Sequence, residues 1–276
     1  MEINIIYIFI LALTGIGVGF ATGLLGVGGG FILAPVQFFL LQSIGLDTDT
    51  AIRMAFGTSL AVMLPTAISG AYTHHKNSCL LIKPAIYLGT AGFFGAILGA
   101  FIAVHTPGDI LRILFGILIF LVVIQFLKYS NPKGSEKKVL DVYHLLFYGS
   151  VAGICSGLLG IGGGIVLVPI MVILLGFSMI EAVGTSTAVI ILTSLGGIIT
   201  YSLNGMTIPG LPAYSVGYVN LLQFAVLAGF SIPMARIGAN AAHKLPENYL
   251  RYIFSAVLIY IGLKMLGIFE FLRIPL

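Results

Sequence analysis

Charge is what this chain has least of. Only 8% of its 276 residues are Asp, Glu, Lys or Arg, against about 25% in an ordinary soluble domain. Nine acidic and 13 basic side chains cannot clothe a 29.2 kDa globule in the charged shell that a buried core requires, so lipid must be the solvent for most of the surface. The nine carboxylates, Glu2, Asp47, Asp49, Asp109, Glu136, Asp141, Glu181, Glu247 and Glu270, all lie at or near the ends of apolar runs. None falls mid-membrane, where a cation carrier usually keeps one despite a cost of about 2.5–3.5 kcal/mol on insertion scales, so cation transport is disfavoured. The two cysteines, Cys79 and Cys155, have no metal or redox spacing and read as small packing groups. No His-Glu-x-x-His, paired aspartate or Ser-His constellation occurs, which argues against an enzyme; no metal or other cofactor is expected. The net charge of +4 comes from basic residues scattered near the ends of apolar runs, a pattern that membrane topology explains and nucleic-acid binding does not.

Apolar length is what the chain has in abundance. Hydrophobic residues make up 59% and the mean hydropathy is +1.12. Runs near 5 to 25, 31 to 44, 54 to 73, 84 to 104 and 110 to 128 are followed by runs near 143 to 160, 165 to 177, 182 to 203, 217 to 240 and 249 to 268. Period-2 alternation is missing, so helices are expected, since they alone close their own backbone hydrogen bonds in lipid. The first run has Glu2 as its only charge and no basic lead, and is expected to be an uncleaved helix. The second run of each half, Phe31 to Ile44 and Ile165 to Phe177, is too short to span comfortably and carries Pro35 or Pro169.

The two halves share one motif. Gly15 to Pro35 returns as Gly149 to Pro169 at an offset of 134, with seven glycines, two adjacent leucines, Leu33/Leu167 and the proline all matching. Gly57-Thr58-Ser59 reappears as Gly184-Thr185-Ser186, and Leu111-Arg112 as Leu250-Arg251. The whole half is therefore repeated, with loops of different length. Gly15, Gly19 and Gly23, like Gly149, Gly153 and Gly157, fall at four-residue spacing, which lets another helix approach closely. The runs Gly28-Gly29-Gly30 and Gly162-Gly163-Gly164 differ. Three adjacent glycines cost about 1 kcal/mol each in a helix interior and are expected to break it. The amides so freed, at the start of the next helix, suit an oxyanion without a desolvated lysine; the other reading is a tight structural hairpin. A nucleotide loop is excluded, because neither copy completes G-x-G-x-x-G or continues into Gly-Lys-Ser/Thr.

The polar groups inside the runs are neutral: Thr22 and Ser156, Thr58, Ser59, Thr185 and Ser186, and Gln37, Asn204 and Gln223. They can ligate an oxyanion or satisfy neighbouring backbone. Arg236, about two turns inside its run, either faces a cavity or snorkels beside His243 and Lys244, with snorkelling favoured. His74 and His75 point in different directions on a helix, which disfavours a metal site. With ten crossings, nine Lys and Arg collect on one side against four; with re-entrant second segments the split is eight to five. The positive-inside rule prefers ten crossings.

These segments give an all-α polytopic membrane protein of two five-segment repeats with inverted topology and a glycine-rich break after the first segment of each. The expected repeats are 1–128 and 142–276, joined by a cytoplasmic linker at 129–141. Gly23 to Pro35, Gly157 to Pro169 and the paired Gly-Thr-Ser segments resemble the TauE/SafE family of sulfite exporters, also called toluene sulfonate uptake permeases, over nearly the full length. The resemblance implies a multi-pass plasma-membrane (cell inner membrane) transporter of sulfite, organosulfonates or sulfoacetate, acting mainly in export. The expected site is Gly28, Gly29, Gly30, Thr58, Ser59, Gly162, Gly163, Gly164, Thr185, Ser186 and Arg236 around a small anionic substrate. A passive anion channel of similar architecture is the alternative. Membrane lipid is the only other expected partner, with a homodimer left open and no nucleic acid.

Overall fold

The structure, a computed structural model, describes residues 5–128, 141–242 and 259–267, with backbone alone over 125–128. All of the expected linker except Asp141, together with Arg251 and most of the last apolar run, lies outside the described residues. Nine α-helices are described: α1 (Ile5–Leu25), α2 (Gly30–Ser43), α3 (Thr48–Lys76), α4 (Ile82–His105), α5 (Gly108–Lys128), α6 (Val142–Leu159), α7 (Gly164–Pro169), α8 (Met179–Gly205) and α9 (Leu221–Ala241). A helical segment also covers 259–265. Six of these helices, α1, α3, α4, α6, α8 and α9, are long and apolar enough to cross a membrane, so the chain is an all-α polytopic membrane protein.

Burial sorts the helices into a centre and a periphery. The apolar windows of α3 and α8 are 78% and 67% buried, against 33–44% for α1, α4, α6 and α9. The outer helices turn Ile5, Phe9, Leu13, Phe94, Leu98 and Phe101 outward, as a lipid-facing surface requires. Asp47 starts α3 by accepting the Thr50 amide, and Ser178 with Glu181 forms a capping box at the start of α8.

The glycine spacing is used between halves, not within them. A Cβ added at Gly15, Gly19 or Gly23 would strike Leu227, Ser231 or Ala235 of α9; one added at Gly149, Gly153 or Gly157 would strike Leu88, Gly92 or Ala96 of α4. The two sets of partners differ by a constant 139 residues. Each first helix therefore lies parallel on the fourth helix of the other half, backbone against backbone, where any side chain would hold them apart. The central helices run antiparallel, because Gly57 meets Tyr201, Gly197 meets Leu60, Gly70 meets Thr187 and Gly184 meets His74.

The change of offset from 127 to 139 has a structural cause. Five residues, 77–81, join α3 to α4, whereas the longer loop between α8 and α9 carries a two-stranded hairpin pairing Ser215 with Asn220 and Val216 with Val219. The short second segments also differ. Helix α2 stays α-helical through Pro35, while α7 passes after Pro169 into a π-helical turn at Ile170–Leu174. Proline lacks the amide that would continue the ladder, and a π turn is one way to absorb the loss.

Candidate functional site

Both glycine runs break the helix, and the breaks touch. Gly26 and Gly160 adopt φ of 64° and 65°, and Gly28 and Gly162 follow at 68° and 76°. A Cβ on Gly30 would lie 2.6 Å from the Gly160 carbonyl, and one on Gly164 2.6 Å from the Gly26 carbonyl. Met63 of α3 and Ile190 of α8 wedge between the breaks, each lining both Gly28 and Gly162. Neither residue was singled out by the sequence reading, although their positions correspond at the 127 offset that relates the Gly-Thr-Ser segments.

The two Gly-Thr-Ser segments hold this junction together reciprocally. Ser59 Oγ lies 2.5 Å from the Gly160 carbonyl, and Ser186 Oγ donates to the Gly26 carbonyl at 2.7 Å. Thr58 Oγ1 accepts the Asn220 amide at 2.9 Å, and Thr185 Oγ1 accepts the Leu81 amide at 3.1 Å, so each threonine anchors the start of the opposite half's fourth helix. Gly57 and Gly184 complete the set by letting the carbonyls of Tyr218 and Cys79 approach. All four hydroxyl side chains are fully buried and engaged with backbone of the other half.

The symmetry fails at three places. In the first break, Thr22 Oγ1 accepts the Gly29 amide at 2.8 Å, and Gly29 keeps an ordinary φ of −61°. In the second, Ser156 Oγ is buried without a hydrogen-bond partner. Gly163 there is left-handed at φ 79°, a conformation that only glycine adopts cheaply. The Gly162 and Gly163 amides, like that of Gly28, meet no acceptor among the described residues. Among the described residues, the second break thus presents two amides and a hydroxyl, buried and unengaged, where the first leaves the Gly28 amide alone.

Second, His74 of α3 and Tyr201 of α8 are counterparts. His74 Nε2 lies 3.0 Å from the Gly23 carbonyl and Tyr201 donates to the Gly157 carbonyl at 2.9 Å, so each ties the third helix of a half to its first. Third, an amide and phenol network between the halves has no symmetric copy: Gln37 of α2 donates to Gln223 of α9 at 3.4 Å, and Gln223 donates to Tyr7 of α1. The counterparts of these residues are Met171, Pro84 and Asp141. Arg236 stands apart from the breaks, on the exposed face of α9, donating to Ser69 Oγ at 3.1 Å.

A family model described as sulfite exporter TauE/SafE matches residues 11–265. The chain belongs to the TauE/SafE family. A probable membrane transporter protein of Methanocaldococcus jannaschii is 31% identical over 93% of this chain and 94% of its own length. A probable membrane transporter protein of Haemophilus influenzae is 27% identical over 94% and 98%, and YunE of Bacillus subtilis, with the same description, 26% over 95% and 98%. No solved structure matches. This TauE/SafE member is accordingly a multi-pass membrane protein of a transporter family, with the paired glycine breaks between its two central helices.

Proposed function

We propose that this protein is a secondary transporter moving small sulfur-containing anions, such as sulfite and organosulfonates including sulfoacetate, across the plasma membrane by alternating access. The observation that carries this reading is the trio of buried, unengaged groups at the second break: the Gly162 and Gly163 amides and Ser156 Oγ. An oxyanion satisfies several donors at once, and buried donors left unpaired cost about 1–3 kcal/mol each. The sulfur specificity comes from the TauE/SafE family.

In this reading the Gly162 and Gly163 amides face the anion from one side and the Gly28 amide faces it from the other, while Gly29, Gly30 and Gly164 shape the two breaks. Thr58, Ser59, Thr185 and Ser186 hold those amides in place from behind, and Arg236 attracts the anion from the exposed side. The halves are inverted repeats with both termini outside, in keeping with the antiparallel α3 and α8, and rocking one half on the other opens each face in turn. Because Ser59 holds the Gly160 carbonyl and Ser186 the Gly26 carbonyl across the halves, the transition exchanges the two bonds together.

The test uses purified protein in liposomes with labelled sulfite and labelled sulfoacetate. Saturable counterflow, abolished by Gly163→Leu in protein that still elutes as a single folded species, is the expected result. Flux at channel rates without saturation points to the passive anion channel, and absence of flux for both anions overturns the reading.

A further inference from the structure

The chain is built from two matched halves, so a chemical difference at a matched position marks a step that only one side performs. His74 and Tyr201 are such a pair. Both are buried, at 1% and 0% exposure, and both bind the carbonyl of the last packing glycine of the first helix in their own half. An imidazole changes charge in the physiological range, whereas a phenol stays neutral across it. Among the described residues, His74 is the one fully buried side chain of the Asp, Glu, His, Lys and Arg types.

Its position links it mechanically to the breaks. Gly23 lies three residues before Gly26, the first left-handed residue of the first break. The His74 Cβ packs against Gly184, next to Thr185 and Ser186, whose hydroxyls anchor α4 and the Gly26 carbonyl. Because Gly23 offers a carbonyl acceptor, Nε2 carries the hydrogen in the neutral ring. Protonation therefore adds the second hydrogen at Nδ1 and a full positive charge beside the break. Among the described residues, the titratable and charged groups on the surrounding elements are Glu181 in the first turn of α8, Cys79 in the loop after α3, Arg236 of α9, and the exposed His75 and Lys76 on its own helix. The described part of α1 against which it packs contributes none.

We propose that His74 is the proton-coupling residue of the transport cycle, taking up one proton as one monoanion enters the glycine breaks and releasing it with that anion on the other side. This rests on the anion-transport reading above. The physical reason is charge neutralisation in a low-dielectric core: an imidazolium and a monoanion cross together as a neutral pair, while either alone must cross as a buried charge. The step is balanced, with one proton and one negative charge entering from one side and the same pair leaving on the other. A cell that has accumulated the anion thereby expels acid with it.

The experiment uses liposomes holding the full chain and labelled methanesulfonate, a monoanion that does not titrate between about pH 6 and about pH 8, the window of an imidazole. An acid exterior is expected to drive inward accumulation by wild type, with one proton entering per monoanion as read by an internal pH dye. His74→Gln keeps an N–H donor for the Gly23 carbonyl and cannot be protonated; whatever its absolute rate, its accumulation no longer responds to the gradient. His74→Tyr, carrying the counterpart's side chain, is the second variant, with the same loss expected. Saturable counterflow in wild type with no response to the gradient overturns the coupling and leaves the transport reading intact. A full gradient response in either variant overturns the assignment to His74. Absence of counterflow in wild type overturns the transport reading, and the coupling with it.

Discussion

A single hydroxyl decides whether each break keeps its shape. Ser186 Oγ reaches the Gly26 carbonyl across 160 residues of sequence, and that carbonyl is buried. Ser186→Ala leaves it unsatisfied and is expected to lower stability by about 1–3 kcal/mol, read as an earlier melting transition in detergent; Ser59→Ala behaves alike at Gly160. The glycines separate by mechanism. At Gly29 the obstacle to a methyl group is the Val18 side chain, not the backbone, so Val18→Ala is expected to recover most of the melting temperature lost in Gly29→Ala. At Gly163 the main obstacle is φ of 79°, which costs a non-glycine residue about 1–2 kcal/mol, with the Ala152 carbonyl 3.0 Å from the added Cβ. Val18→Ala gives Gly163→Ala no rescue, and unequal rescue in the two double variants is the measurement that separates clash from strain.

At the scale of elements, the helices stand where their ends are satisfied. Asp47 accepts the Thr50 amide at 2.9 Å at the start of α3, and this bond holds its carboxyl below the ordinary value of 3.8. A depressed folded-state pKa means that the stabilisation is complete above the unfolded value and is lost as pH falls through the folded one. Asp47→Ala is expected to cost about 0.5–2 kcal/mol near neutrality and to cost progressively less below about pH 4, measured as melting temperature against pH. The helices themselves were legible, because twenty apolar residues in a row admit few alternatives in lipid. The π-helical turn after Pro169 was not, since Pro35 occupies the matching place in α2 and provokes no such turn. Nor was the direction of the Thr58 and Thr185 hydroxyls. The sequence reading placed them around an anion, and the structure has them anchoring Asn220 and Leu81.

At the scale of the molecule, each half is completed by the other. The packing glycines of α1 find α9 and those of α6 find α4, so the glycine face of each first helix is covered by the other half. Residues 1–128 and 142–276 produced as separate chains are expected to disappear from the membrane fraction when expressed singly. They are expected to accumulate and co-purify when expressed together, with quantitative blotting as the readout; stable accumulation of either half alone contradicts this dependence.

The solvent, the repeat and the position of the breaks were determined by the sequence alone. Charge content, duplication and consecutive glycines are local properties that any reader of the chain can count. Which group answers which was decided only by the tertiary structure. Ser59 meets Gly160, His74 meets Gly23 and Gln37 meets Gln223 across separations of 101, 51 and 186 residues, and a rotation of either helix by one residue, about 100°, would turn the side chain away. The tertiary structure likewise decides that Thr22 closes on the Gly29 amide while Ser156, in the matching position, has no partner, Gly29 keeping φ of −61° where Gly163 turns left-handed at 79°.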